Sequence, residues 1–213
     1  MNSLKLTFLS LIFLLFAGTV SAQLGVRAGI AISDQHIDPD DNVETSSLLG
    51  FSAGIMVEIN VTDRFALQPE LLFVQKGVYK DEFLPIQELR WQADFKQNSL
   101  MMAVMARYDI VRFGESGGLY LGLSPFFSYG MDVLVEGETI TPTTSREIDD
   151  SVKNRDVQWR RADYGIGAGL GVRFGNFVFD ARYNYGLANI ERVDDDNVTI
   201  NSRSILLGVG YYF

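Results

Sequence analysis

The chain has 213 residues and a formal net charge of −9 at pH 7, room for one domain with a full core or one small barrel. The acidic balance argues against nucleic acid as a partner, because phosphate binding needs a basic surface. Cysteine is absent, so no lipoprotein anchor, disulfide, thiolate chemistry or cysteine-held metal is expected.

The first element reads as an export address. Lys5 is a positive head, 6–16 is almost wholly apolar, and Val20-Ser21-Ala22 supplies the small residues a signal peptidase reads. Cleavage is expected after Ala22, dividing the chain into a signal peptide, 1–22, and one domain, 23–213. Read instead as a membrane helix, the apolar run falls short of the ~20 residues a span needs. No later apolar run reaches that length, so no other helix is expected to cross a membrane.

Eight stretches then alternate with the period of a strand. The first, 24–33, places Leu24, Val26, Ala28, Ile30 and Ile32 on one face and Arg27 on the other. The second, 49–59, sets Leu49, Phe51, Ile55 and Val57 against Ser52, Met56 and Glu58. The third, 65–74, sets Phe65, Leu67, Pro69, Leu71 and Phe73 against Gln68 and Glu70, weakening at Leu72 and Val74. The fourth, 99–108, opposes Leu100, Met102, Val104 and Tyr108 to Met101, Met105 and Arg107; on composition alone it also suits an amphipathic helix. The fifth, 118–133, carries its apolar face from Leu119 through Phe127 and Met131 to Val133. In the sixth, 161–174, Tyr164, Ile166, Leu170 and Val172 oppose Asp163, Arg173 and the glycines 165, 167, 169 and 171. The seventh, 177–187, opposes Phe177, Phe179, Tyr183 and Tyr185 to Asp180 and Arg182. The eighth, 204–213, keeps Ile205, Leu207, Val209, Tyr211 and Phe213 in one register.

The connections alternate in length. Stretches 34–47, 76–97, 136–158 and 189–202 are long, whereas 60–64, 109–117 and 175–176 are short. Transmembrane barrels have short periplasmic turns, long outer loops and an even strand number that leaves both termini in the periplasm. The pattern therefore predicts an all-β fold, an eight-stranded antiparallel up-and-down transmembrane β-barrel in a bacterial outer membrane, with outer-membrane lipid as its surroundings.

A soluble eight-stranded carrier would put its apolar face inside. Here the opposite face carries glycine, serine and charge, too small and polar to line a dry ligand cavity. Turning it to lipid would cost ~2–4 kcal/mol for each Arg near the midplane, so the bulky face is expected outside. Aromatics flank this band as an interfacial girdle would. Phe65, Tyr108, Phe174, Phe177, Tyr211 and Phe213 lie by the short turns or the C-terminus, and Tyr129, Trp159, Tyr164 and Tyr185 lie toward the long connections. The closing pattern of Ile205, Leu207, Val209, Tyr211 and terminal Phe213 is the kind of signal that barrel-assembly machinery reads, which makes that machinery an expected partner during insertion.

The mature chain resembles the PorT-like outer-membrane β-barrel family common in Bacteroidota. The resemblance is carried by LGVRAGIAIS (24–33), GFSAGIMVEI (50–59), ILLGVGYYF (205–213) and above all LQPELLFVQKG (67–77). It implies an outer-membrane barrel of OmpA/OmpX-like architecture. The family's name-giving branch is tied to type IX protein secretion, so envelope or secretion-system proteins are candidate partners; no motif here points to that branch.

On the inward faces, Glu58, Gln68, Glu70, Asp163 and Asp180 meet Arg27, Arg107, Arg173 and Arg182. An eight-stranded barrel is only wide enough for side chains, and buried charges must pair, so a structural polar core that closes the lumen is expected. A proton or solute path is the alternative. His36, near Ser33 and Asp34 in the first long connection, is the only histidine. It supports an outer-membrane lipid-modifying enzyme weakly, and no catalytic, cofactor-binding or metal residue is assigned. Asp34, Asp38, Asp40, Asp41 and Glu44, and later Glu191, Asp194, Asp195 and Asp196, give acidic loops without EF-hand spacing. Such runs read as solvated. The function expected is a non-enzymatic one: structural, surface interaction or envelope assembly. A small-solute pore and a lipid-modifying enzyme are the alternatives.

Overall fold

A computed structural model describes residues 22–38, 45–84, 89–114, 117–141, 144–153, 161–190 and 199–213. All of their regular structure is strand: β1 (Ala22–Asp38), β2 (Thr45–Asn60), β3 (Phe65–Leu84), β4 (Leu89–Arg112), β5 (Gly117–Thr141), β6 (Thr144–Lys153), β7 (Ala162–Phe174), β8 (Phe177–Gly186) and β9 (Thr199–Tyr212). Stretch 99–108, which by composition alone suits a helix as well, lies wholly within β4. The expected signal peptide falls on residues outside those described, apart from Ala22, which opens β1.

Every strand pairing is antiparallel, and the sheet closes on itself through β4–β5 and β1–β9. The closed ring runs β1-β2-β3-β4-β5-β7-β8-β9, eight strands, and leaves no unpaired edge in the wall. β6 stands outside the ring and pairs with β5 alone among the described residues.

Alternation decides the two faces. Leu24, Phe51, Leu71, Met102, Leu123 and Ile166 point outward and are exposed, while Arg27, Ser52, Glu58, Gln68 and Asp180 on the other face are buried. The short turns gather at one end with both described chain ends. At Gly175 the backbone takes φ 58°, a left-handed conformation that costs glycine little, and Gly175-Asn176 makes the tightest of these turns, between β7 and β8. At the other end the stretches expected as long loops, 76–97 and 136–158, are largely strand. β3 and β4 stay paired out to Leu84↔Leu89, and β5 and β6 out to Thr141↔Thr144. Pairing continues past the apolar band because backbone hydrogen bonds do not need alternating side chains. Polar residues on both faces of these extensions hide the period-two signal.

One face assignment is corrected. Val133 was expected on the outward face with Met131, but it is wholly buried inside. Asn98 pairs with Asp132 and Ser99 with Gly130, so Met131 is an extra residue in β5. A bulge of one residue reverses every later side chain. It also places Asp132 beside Asn98, whose Nδ2 donates to Asp132 Oδ2 at 3.0 Å. Gln75 Nε2 donates in turn to Asn98 Oδ1 at 3.2 Å, giving a polar ladder across β3, β4 and β5.

Candidate functional site

The inward residues of the short-turn half come from every strand of the ring. Alternation points Gln23 and Arg27 (β1), Glu58 (β2), Gln68 and Glu70 (β3), Arg107 (β4), Tyr120 (β5), Arg173 (β7), Asp180 and Arg182 (β8) and Tyr212 (β9) into one cross-section. Glycines leave room for the largest of them. A Cβ at Gly208 would overlap the Arg27 guanidinium, and one at Gly171 would overlap the Tyr120 ring.

These side chains form one connected network. Asp180 receives Arg27 Nη2 and Nε, the latter at 3.3 Å. It also receives Arg182 Nε at 2.9 Å and Nη2 at 3.2 Å. Arg182 turns its other edge to Glu70, with Nη1 at 2.5 Å and Nη2 at 2.9 Å from the two carboxylate oxygens. That bidentate fork is the strongest pairing geometry available to arginine. Gln68 donates to Glu70 through its amide nitrogen. Its carbonyl oxygen accepts from Tyr212 Oη at 2.8 Å and Arg107 Nη1 at 3.4 Å. Glu58, with no exposure, is bridged by Arg107 at 2.6 Å and by Arg173. Arg173 finishes on Gln23 Oε1 and the Gly175 carbonyl, both at 2.9 Å. The Arg107 guanidinium lies 4.9 Å from the centre of the Tyr120 ring, and that of Arg173 lies 5.1 Å from the centre of the Tyr212 ring. Each carboxylate meets a cation, the condition under which buried charge is tolerated.

Eight of the nine inward polar residues marked in the sequence meet here. Asp163 does not. It lies toward the long-hairpin end, where Lys76 Nζ reaches its Oδ2 at 3.3 Å and Ser202 Oγ donates to the same oxygen at 2.6 Å. Lys76 also sits 5.3 Å from the centre of the Phe126 ring. It was missed because 76 was taken as the start of a loop, although period two from Gln68 and Glu70 through Val74 reaches it. Two apolar clusters complete the interior, whose face was expected to be mainly glycine, serine and charge. Leu72, Val74, Met101, Phe126 and Leu206 belong to one, and Met56, Met105, Tyr120, Val178 and Tyr212 to the other. Inward Leu72 and Val74 are why the third segment alternates weakly.

The other candidate residues separate from this cross-section. His36 belongs to β1, opposite Asn201, rather than to a loop, and its side chain lies outside the described residues. Ser33 is buried, with its hydroxyl bound to the Gly77 backbone: Gly77 N–H donates to Oγ at 2.7 Å, and Oγ donates to Gly77 O at 3.2 Å. The acidic runs at 39–44 and 191–198, and Trp159, also lie outside the described residues. Among the described residues no three His, Asp or Glu side chains group as metal ligands.

At the short-turn end Ile205, Leu207, Val209, Tyr211 and Phe213 all face outward. Tyr211 packs edge-on against Phe177 at 5.0 Å and Phe213 at 5.4 Å, and Phe113 meets Phe174 at 5.3 Å. Phe213 N–H donates to Leu24 O at 2.9 Å, tying the C-terminus across the β1–β9 seam. Phe113 joins this aromatic belt from a short turn where sequence alternation had already ended.

A closed wall, apolar outside and charge-paired inside, defines a transmembrane β-barrel. The chain belongs to the outer membrane protein beta-barrel domain family, whose profile matches residues 17–192, and it is a protein of the outer membrane. Similar solved structures include Ail, the attachment invasion locus protein of Yersinia pestis, at 18% identity over 91% of this chain and 99% of that one, with TM-score 0.41. OprG from Pseudomonas aeruginosa is 16% identical over 92% and 98% of the two chains, with TM-score 0.49. Neisserial surface protein A is 18% identical over 91% and 99%, with TM-score 0.46. No curated protein matches the chain.

Proposed function

We propose that the protein is a non-enzymatic outer-membrane barrel whose lumen is closed by its own side chains and which serves the envelope structurally, through its surface or as part of an assembly. The observation that carries this reading is the network from Arg27 through Asp180, Arg182, Glu70, Gln68 and Arg107 to Glu58 and Arg173. Side chains from the whole ring meet in it, and opening a path would separate charges held in a medium of low dielectric. Purified protein in planar bilayers is therefore expected to give no stable conductance. Reproducible single-channel steps would overturn the closed-lumen reading in favour of a small-solute pore.

In this reading the signal peptide is removed after Ala22 and both termini face the periplasm, as the short turns at the terminal end favour. Phe213 with Tyr211, Val209, Leu207 and Ile205 serves as the signal for barrel assembly. The PorT-like resemblance, and with it a Bacteroidota source, is supported by stretches 24–33, 50–59, 205–213 and above all 67–77, whereas no motif points to the secretion branch, whose proteins are candidate partners only through that resemblance. Co-purification from native envelopes in mild detergent tests that assignment; a secretion-apparatus partner would move the role from structure to machinery. The lipid-modifying alternative is disfavoured by the engagement of Ser33 Oγ with Gly77. An altered lipid A profile on His36→Ala would revive it.

A further inference from the structure

The short-turn end opens into a polar vestibule of about 470 Å³, within the size range of small-ligand sites. The charged groups facing it are Arg107, Arg112, Arg173, Asp63 and Asp109, with Gln23, Asn60 and Thr62 between them. We propose that this vestibule binds a phosphate-type oxyanion between Arg107 and Arg112. The inference does not depend on the lumen being closed; only its assignment to the periplasmic side rests on the orientation proposed above.

Three observations converge on it. The first is charge balance. The buried network joins four arginines (Arg27, Arg107, Arg173 and Arg182) to three carboxylates (Glu58, Glu70 and Asp180), and the fourth carboxylate, Asp109, stands 3.7 Å from Arg107 with its side chain 23% exposed. The balancing charge of Arg107 is thus distant and at the solvent edge, where an anion can compete for the cation. The second is an unused donor. Arg107 is 3% exposed, yet its Nε–H makes no hydrogen bond. The nearest carboxylate oxygen, Asp109 Oδ1, is 3.7 Å away, beyond hydrogen-bond reach. The third is Arg112, which lines the same vestibule and pairs with no described residue. Arg173 spends three of its five N–H donors on Gly175, Glu58 and Gln23 and adds its charge to the vestibule. Asp63 and Asp109 oppose an anion, so the site is a weak one whose occupant must meet both free arginine edges at once. A phosphate oxyanion has the several acceptor oxygens this needs.

Two sources could supply that chemistry, free phosphate and a phospholipid headgroup, and the same experiment separates them. The full mature chain, ¹⁵N-labelled in uncharged maltoside micelles, is titrated with inorganic phosphate while the arginine Nε–H resonances are followed. A saturable shift is expected that equal ionic strength of chloride does not produce. Arg112→Gln should weaken it roughly tenfold, as loss of one charged hydrogen bond implies. Asp109→Asn should strengthen it by removing the nearest competing carboxylate. If phosphatidylglycerol added to the micelles saturates the same resonance, the headgroup is the source; if only inorganic phosphate does so, the source is a free solute. A shift reproduced by chloride, a shift undiminished in Arg112→Gln, or no saturation at decimolar phosphate would overturn the proposal.

Discussion

The two ends of the barrel interior hold their charges differently. Toward the short turns, Glu58 and Asp180 each touch two arginines, and Arg182 grips two carboxylates, so the charges are linked into shared groups rather than isolated pairs. Toward the hairpins, Lys76 and Asp163 form one pair, both side chains 11% exposed, supported by the Ser202 hydroxyl on Asp163 and the Phe126 ring beside Lys76. Between the two lies the apolar layer of Leu72, Val74, Met101, Phe126 and Leu206. The contrast teaches that the wall is braced at one level and merely latched at the other. Cost should follow connectivity.

The largest expected loss comes from the most connected residue. Arg182→Met strands Glu70 and Asp180 without their shared cation and should destabilise the barrel by ~3–5 kcal/mol, read from urea unfolding in lipid vesicles. Adding Glu70→Leu should recover part of that loss, because the second change removes a stranded charge. If the double variant is as unstable as the sum of the two singles, the network is not coupled as drawn. Next comes the space beneath it. Gly208→Ala pushes a methyl group into the Arg27 guanidinium and should cost ~1–3 kcal/mol by overpacking. An unchanged unfolding midpoint would mean that Arg27 is not held against β9. Smaller still is Lys76→Met, for which about 1 kcal/mol is expected, because Asp163 keeps Ser202 and some solvent. A loss equal to that of Arg182→Met would erase the distinction between the two ends.

The smallest effect tests geometry rather than energy. The chain has no cysteine, so single cysteines report cleanly. Met131→Cys, carrying a fluorophore, should be quenched by a lipid-soluble quencher, and Val133→Cys should be shielded, because the bulge turns them to opposite faces. Equal quenching of both would remove the bulge and return Val133 to the outward face.

Much of the wall was legible in the sequence for a local reason. Period two is a property of neighbouring residues, so Leu24 to Ile32 or Ile205 to Phe213 declare their faces without reference to any other strand. The charged residues were visible too, as breaks of polarity on the inward face. Where alternation fails the reading failed with it. Leu72 and Val74 looked like a weak strand because the interior there is apolar, and Lys76 looked like a loop because the residues after it are polar on both faces. The projecting hairpins of β3–β4 and β5–β6 were hidden for the same reason.

By itself, then, the sequence determined the number of wall strands, which face meets lipid, and most of the polar residues that turn inward, Lys76 excepted, since all three follow from local alternation and loop rhythm. Tertiary structure alone decided who meets whom. Register between strands set Arg182 against Glu70, 112 residues away, and Asp180 against Arg27, 153 residues away. It drew Asp163 out of that group to Lys76, and one extra residue at Met131 turned Val133 inward. Pairing register and closure of the ring join residues far apart in the chain, and no local pattern encodes the height at which two strands will meet.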